Sequence, residues 1–424
     1  MADVFVFDTV RTPRASARAQ GAFREVRPFR LPAKLLRELG DRNPGMDLAR
    51  VTDLLLGCVS AVGDQGYNVA QAALQDVAWP DTVGAATVNR YCASGLETVL
   101  QAYARITAGL DEAIVAGGLE SMSRVPLGAG GGPVLEDPEL ILSKRLLPQG
   151  IAADLIATLR GYTREQLDEY ALASHQRAAT ARAEGHFAHS LIDISDRSSI
   201  QLLSEDELIR AGTDAEKLAS LRPAFAKTVP ARGGGLPSEG FDALALSSYP
   251  QLSEISHVHT AGNSSALADG AGLALLGTAG FGEAGGLTPR ARVVSVAVAS
   301  SEPTVMLLGM IPATELALAR AGLKASDVDL FEVGEAFAAV PLAFIEHFGV
   351  GHDRVNVNGG GIALGDPVGA TGTMLLGTVV DELHRRGKRY GLVTLCAAGG
   401  QGVACVVERV GGQISTPGAS AVSG

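Results

Sequence analysis

Residues 85–96 read Ala85-Ala86-Thr87-Val88-Asn89-Arg90-Tyr91-Cys92-Ala93-Ser94-Gly95-Leu96. The first four are a short apolar run with a β-branched end, which predicts a strand. A polar turn follows, and a helical pattern then continues to about Ala108. Glu112–Ala116 is the next apolar strand, closed by Gly117-Gly118. Strand, turn, helix and strand in this order make a βαβ unit, the building block of a parallel sheet.

The same plan extends outward from that unit. Val4-Phe5-Val6-Phe7 is an opening strand that runs into Arg11-Thr12-Pro13. In the second half, Val293–Val298 opens and meets Glu302-Pro303. Val355-Asn356-Val357 is read as a strand leading into a glycine loop, Gly359 to Gly372. A helix is predicted from about Thr373 to Arg385, and Leu392–Leu395 returns as a strand ending at Cys396. Two matching halves indicate an internal duplication, and ligands of open α/β sheets bind beyond the carboxyl ends of the strands. Cys92 and Cys396 both stand at such ends. Residues 121–255 interrupt the pattern with a glycine run at 128–132, a helix over 163–184, the cations Lys144, Arg145, Arg177 and Arg182, and a closing Gly233-Gly234-Gly235. This stretch reads as an inserted domain able to cover a site. The tail, 412–424, is small and polar and is expected to fray.

Composition narrows the class. The 424 residues carry 35 Lys and Arg against 46 Asp and Glu, a net charge of 35 − 46 = −11. An acidic surface argues against nucleic acid and anionic lipid as partners. With 46% hydrophobic and 19% charged residues the chain is globular, and its length suits two or three domains. No run reaches the roughly 18 apolar residues of a membrane span, and the start lacks a signal-peptide pattern. The four cysteines are far apart without CxxC spacing, so neither a metal knuckle nor a disulfide framework is expected, and a reducing cytoplasm is the default compartment.

Among the cysteines, Cys92 stands before a helix whose N-terminus favours a thiolate, and nucleophile and buried structural thiol are evenly matched readings on that evidence. Cys396 precedes Ala397-Ala398-Gly399-Gly400-Gln401-Gly402, where glycines let backbone N–H groups approach an oxyanion or merely make a tight turn. Cys58 and Cys405 sit in apolar runs and read as core. The cluster Asn358–Pro367 lacks the lysine of a phosphate-gripping loop, so nucleotide binding is not expected.

Taken in order, these motifs resemble the thiolases, the acyl-CoA acetyltransferases and acyltransferases, from Val4 to Val410. The resemblance rests on Arg11–Pro13, Asn89–Leu96, Ala116–Ser123, Ala261–Ser265, Asn356–Gly372 and Cys396–Gly402. Residues Pro148–Leu155 are most similar to the degradative branch, which includes thiolase subunits of fatty-acid β-oxidation complexes. The resemblance implies a five-layered α/β thiolase fold with two duplicated mixed-sheet halves. Residues 1–120 with 256–285 would form the N-terminal domain, 121–255 an inserted coenzyme A-binding lid, and 286–411 the C-terminal domain. It further implies that Cys92 takes an acyl group from a CoA thioester. Cys396 would then deprotonate the second substrate or protonate the leaving thiolate. Backbone N–H groups of Cys92 and Ala398 would line an oxyanion hole, and Ser265 would lie beside the pantetheine arm, with Asn263 pinning the loop. Coenzyme A thioester is substrate, no separate cofactor or metal is implied, and the assembly would be a homodimer or homotetramer, with a β-oxidation subunit as a further partner.

Departures fall at the chemistry. The family's Gly-His-Pro is here Gly365-Asp366-Pro367, its Asn-Glu-Ala-Phe is Gly334-Glu335-Ala336-Phe337, and its Cys-x-Gly-Gly-Gly has Ala398 in the third place. Tyr91 is bulkier than the family's residue. An ionised Asp366 accepts a proton but donates no hydrogen bond, and its charge raises the pKa of a neighbouring thiol. Gly334 removes the side chain that would hold a catalytic water. None of His257, His259, His347 and His352 is expected to substitute. Three readings therefore stay open: a slowed thiolase, a diverged biosynthetic or hydrolytic acyl-enzyme former, and a non-catalytic CoA-binding subunit.

Overall fold

The computed structural model describes residues 2–196, 198–226 and 240–411. Gly233–Gly235 and the 412–424 tail lie outside the described residues. The main sheet runs, strand beside strand, through Leu330–Val333, Tyr390–Ala397, Gln401–Arg409, Ala291–Ser300, Val4–Arg11, Ala268–Gly277, Ala113–Ser121, Val51–Gly57 and Gly84–Val88. Val4–Val6 pair with Ala291–Val293 and so join the two halves edge to edge.

The sheet is mixed, as the resemblance implies, and the parallel pairing read from the βαβ alternation holds for three strand pairs. Val51–Gly57 is parallel to both Gly84–Val88 and Ala113–Ser121, and Leu330–Val333 is parallel to Tyr390–Ala397. The remaining main-path pairs are antiparallel: Ala268–Gly277 and Gln401–Arg409 each insert between two strands of like direction, and Val4–Arg11 meets Ala291–Ser300 antiparallel where the halves join. Every residue of Ala268–Gly277 is buried, so no polar alternation marks it as a strand. The strand expected at Val355–Val357 is reduced to a single bridge between Val355 and Phe331. Asn356 turns at φ +49° and its carboxamide takes the place of a neighbouring strand. Its Oδ1 accepts from Val333 N at 2.7 Å, and its Nδ2 donates to Val333 O at 2.9 Å.

Five layers result. Leu31, Leu35, Leu36 and Leu39 of the Arg30–Arg42 helix cover the outer face of the N-terminal half. The helices Ser94–Thr107 and Thr371–Arg385 lie between the halves, Leu96, Val99, Leu375 and Val379 packing with Val6 and Ile114 on one side and Val393 and Cys405 on the other. The helices Met310–Ala321, Ala339–Phe348 and Gln149–Arg160 close the C-terminal half. Within residues 121–255, Arg164–Ala183 starts at Thr163 with a reciprocal cap to Gln166, within a residue of the helix expected there. Each buried leucine contributes about 1.5–3 kcal/mol, so the layering follows from where the apolar stripes fall.

Candidate active site

Cys92 lies two residues ahead of the Ser94–Thr107 helix, on a turn held by its own polar residues. Tyr91 has φ +49°, a left-handed conformation that a bulky residue adopts at a cost. Three contacts oppose that cost: Tyr91 N donates to Asn89 Oδ1 at 2.9 Å, Arg90 N to Ser94 Oγ at 2.8 Å, and Ser94 Oγ to Tyr91 O at 2.5 Å. Arg90 binds Glu97 through Nε at 2.7 Å and reaches Gln401 Oε1 through Nη1, also at 2.7 Å. This last bond ties the turn of Cys92 to the loop that follows Cys396. Gly95 is needed for close approach more than for the turn, since a Cβ there would stand 2.8 Å from Gly369 O.

Cys396 is buried at the end of its strand, opposite Gly402. The turn between them uses Gly399 at φ +74° and Gly400 at φ +85°, whereas Ala398 is not among the residues of positive φ. Alanine is therefore tolerated at 398 with its N–H retained. Asp366 is buried beside this pair, its backbone N donating to Ala266 O at 2.9 Å. Thr371 Oγ1 donates to its Oδ1 at 2.5 Å. Ser265 is half-buried between the glycine loop and the Gly334–Phe337 turn, its N donating to Ala336 O at 3.0 Å. Gly334 is open to a side chain, because a Cβ there meets Leu395 at 3.4–3.6 Å, ordinary contact.

The electrostatics run against a resting thiolate. Burial pushes the Cys92 thiol well above its ordinary value, and the charge of Asp366 adds to it, with Cys396 behind. The charge of Asp366 acts on the thiol in the direction expected from sequence. Cys396 is pushed up to about 12 by burial and by Asp366. Burial raises Asp366, opposed by the Thr371 hydrogen bond and by Arg14. Both thiols thus rest protonated at neutral pH, with one carboxyl acting on both.

Two participants escape sequence reasoning. The side chain of Gln149 acts on Cys92 in the direction that favours its thiolate; a glutamine opening a helix gives no signal of that role. Arg14 lies within electrostatic reach of Asp366. Asn263, by contrast, pins its loop as expected, its Oδ1 accepting from Thr260 N at 2.7 Å and its Nδ2 donating to Asp168 Oδ1 at 2.8 Å. The histidines are engaged elsewhere: His257 and His259 on Asp154, His347 on Glu315, and His352 stacked on Tyr170. Cys58 and Cys405 are fully buried in the core. A cavity of about 660 Å³ lined by Arg42, His189, Arg290 and His384 shares no residue with the cluster. Among the described residues no group of three His, Cys, Asp or Glu could hold a metal ion, and no helix is long and apolar enough to cross a membrane.

Sequence comparison assigns residues 4–232 to the thiolase N-terminal domain and 287–409 to the thiolase C-terminal domain. A 3-ketoacyl-CoA thiolase of Yersinia enterocolitica is 37% identical over 97% of this chain and 100% of its own length. One from Cronobacter sakazakii is 38% identical with the same coverage. Among solved structures, the acetyl-CoA acetyltransferase of Bacillus anthracis superimposes with a TM-score of 0.81 at 32% identity, covering 97% of this chain and 99% of that one.

Proposed function

The chain belongs to the thiolase family, and from that membership we propose a thiolase-type acyltransferase that cleaves or condenses 3-ketoacyl-CoA through an acyl-Cys92 intermediate. In the thiolytic direction the Cys92 sulfur attacks the keto carbon while its proton passes to Asp366. The bond between the keto carbon and C2 breaks, and Cys396 gives its proton to the departing enolate, releasing acetyl-CoA. Free CoA then gives its thiol proton to the Cys396 thiolate and attacks the acyl group. Cys92 leaves and recovers its proton from Asp366, so every group returns to its starting state. A thiol held at about 12 suits this sequence, since it keeps its proton until a stronger base appears.

Backbone N–H groups of Cys92 and Ala398 are assigned to the oxyanion, Ser265 to the pantetheine arm, and residues 121–255 to holding CoA as an inserted lid. The replacements Asp366 and Gly334 cost donors at the oxyanion, and one such donor is worth ~10²–10³ in rate, so the reaction is slow beside the family's usual chemistry. A cytoplasmic homodimer or homotetramer working beside a β-oxidation subunit fits the similarity to 3-ketoacyl-CoA thiolases.

The observation that carries this reading is the convergence of Asp366 and Cys396 on Cys92. Intact-protein mass spectrometry after brief incubation with a panel of acyl-CoAs tests it. An acyl adduct is expected on the parent and on Cys396→Ala but not on Cys92→Ala, with turnover of Cys396→Ala down by ~10²–10⁴. No adduct from any thioester would move the assignment to a non-catalytic CoA-binding subunit. An adduct that only water discharges would make the protein a thioester hydrolase.

A further inference from the structure

Arg14 is buried, and its Nε and Nη1 have no hydrogen-bond partner. Its nearest carboxylate is already engaged: Asp206 takes Arg11 through both oxygens at 2.8 Å, while Arg14 Nη1 stays 3.9 Å away. Only the backbone N of Arg14 reaches Asp206, at 2.9 Å. Burial and the charge of Arg11 draw Arg14 down to about 10, which still leaves it a cation at neutral pH. Two buried guanidinium groups over one carboxylate leave one positive charge uncompensated, an arrangement that costs several kcal/mol unless a second anion is near.

Besides Asp206, two carboxyls act on Arg14, Asp366 and Glu332. Glu332 is buried with its Oε2 unpartnered, and burial together with the charges of Glu335 and Glu382 raises it well above the ordinary carboxylate range, which makes it the weaker countercharge. Asp366 remains. The backbone brings the two together: Ala15 and Ser16 pair with Asp269 and Ala268, Ala17 N donates to Leu267 O at 3.2 Å, and Leu267 bridges to Asp366 on its other side. The titratable and charged groups that act electrostatically with Asp366 are Arg14, Cys92 and Cys396, beside the Thr371 hydroxyl; those that act on Arg14 are Arg11, Asp206, Glu332 and Asp366.

We propose that Arg14 is the countercharge of Asp366, a positioning residue that keeps this carboxyl ionised at neutral pH so that it can accept the Cys92 proton. The proposal rests on the acyl-enzyme reading only for its consequence; the pairing itself is measured without catalysis. Infrared difference spectroscopy at pH 7 reads the protonated carboxyl band of Asp366, assigned by its loss in Asp366→Asn. The band is expected to be absent in the parent and in Arg14→Lys and present in Arg14→Met. In acyl-adduct kinetics the acid limb of Arg14→Met should move up by at least about one pH unit, a roughly tenfold lower rate on that limb, with Arg14→Lys restoring it.

Should Arg14→Met fold poorly, the double variant Arg14→Met/Asp366→Asn decides. Removing both charges should give a higher Tm than removing Arg14 alone. An Asp366 that stays ionised in Arg14→Met, a limb that moves in Glu332→Gln instead, or a double variant less stable than the single would each overturn the pairing. Failure of the parent to acylate, with the infrared result as expected, would instead count against the acyl-enzyme reading and leave the pairing intact.

Discussion

Thr371 Oγ1 donates to Asp366 Oδ1 at 2.5 Å, so the carboxyl that acts on Cys92 is held by the first residue of the buried Thr371–Arg385 helix. That helix lies between the two halves of the molecule, beside the helix that follows Cys92. Cys92 and Asp366 thus stand just ahead of the N-termini of two neighbouring helices.

The hydroxyl stabilises the ionised form of Asp366. Its loss in Thr371→Val raises the Asp366 pKa, and the rate that needs ionised Asp366 is then lost at higher pH. A hydrogen bond to a charged group contributes ~1.5–3 kcal/mol, which moves the acid limb of Cys92 acylation up by about one to two pH units. Acyl-adduct formation followed across pH measures it, and a limb left where the parent has it would disprove the role given to Thr371.

The carboxamide of Gln149 favours the Cys92 thiolate, against the burial and charge that disfavour it. Gln149→Leu keeps the volume and removes the polar end, so the thiol pKa rises further. At ~1 kcal/mol for a lost hydrogen bond, alkylation of Cys92 by iodoacetamide at pH 7 should slow by about five- to tenfold. Cys92→Ala gives the background from the other thiols. Equal alkylation rates would mean that the carboxamide contributes nothing to the nucleophile.

Restoring the two replaced side chains should accelerate thiolysis. An imidazole at 366 both accepts the Cys92 proton and offers a donor, and the Cβ of an asparagine at 334 meets Leu395 only at ordinary contact distance. Asp366→His with Gly334→Asn is expected to raise 3-ketoacyl-CoA thiolysis by ~10²–10³. Steady-state kinetics of the single and double variants test this, and no gain in any of them would show that the acidic residue is not what limits the rate.

How far the sequence discloses this arrangement depends on what each residue is doing. The strand, turn and helix around Cys92 are legible because apolar runs flank a polar turn, and residues 163–184 are legible from their helical pattern and cap. Ala268–Gly277 is not, because a strand buried on both faces shows no alternation. Asn356 misleads for a different reason, since its side chain imitates a strand that the backbone does not form. In the site, Cys92, Cys396 and Asp366 are visible from motif and order. Arg14 and Gln149 are not, because they act on residues 352 and 57 positions away (366 − 14 and 149 − 92).

A close approach between the halves makes the last prediction. A Cβ on Gly118 would stand 1.9 Å from Gly369 O and 2.7 Å from Ala370 Cα, both backbone atoms that cannot rotate away. Gly369 N is also held by Glu120 Oε2 at 3.1 Å, and that carboxylate takes Val59 N and Ser60 N as well. Gly118→Ala must therefore push the 366–370 loop outward, straining the Glu120 cluster and carrying Asp366 with it. Overpacking of this kind costs ~1–3 kcal/mol or more. The folded fraction should in addition acylate Cys92 more slowly, because a displacement of about 1 Å at a catalytic group costs ~10² in rate. Gly40→Ala is the control: its Cβ meets nothing within 4 Å inside the Arg30–Arg42 helix, so it should stabilise by ~0.5–1 kcal/mol. Thermal unfolding and acyl-adduct kinetics on the two variants separate these effects, and a Gly118→Ala protein with the parent's Tm and acylation rate would refute the close packing of the halves.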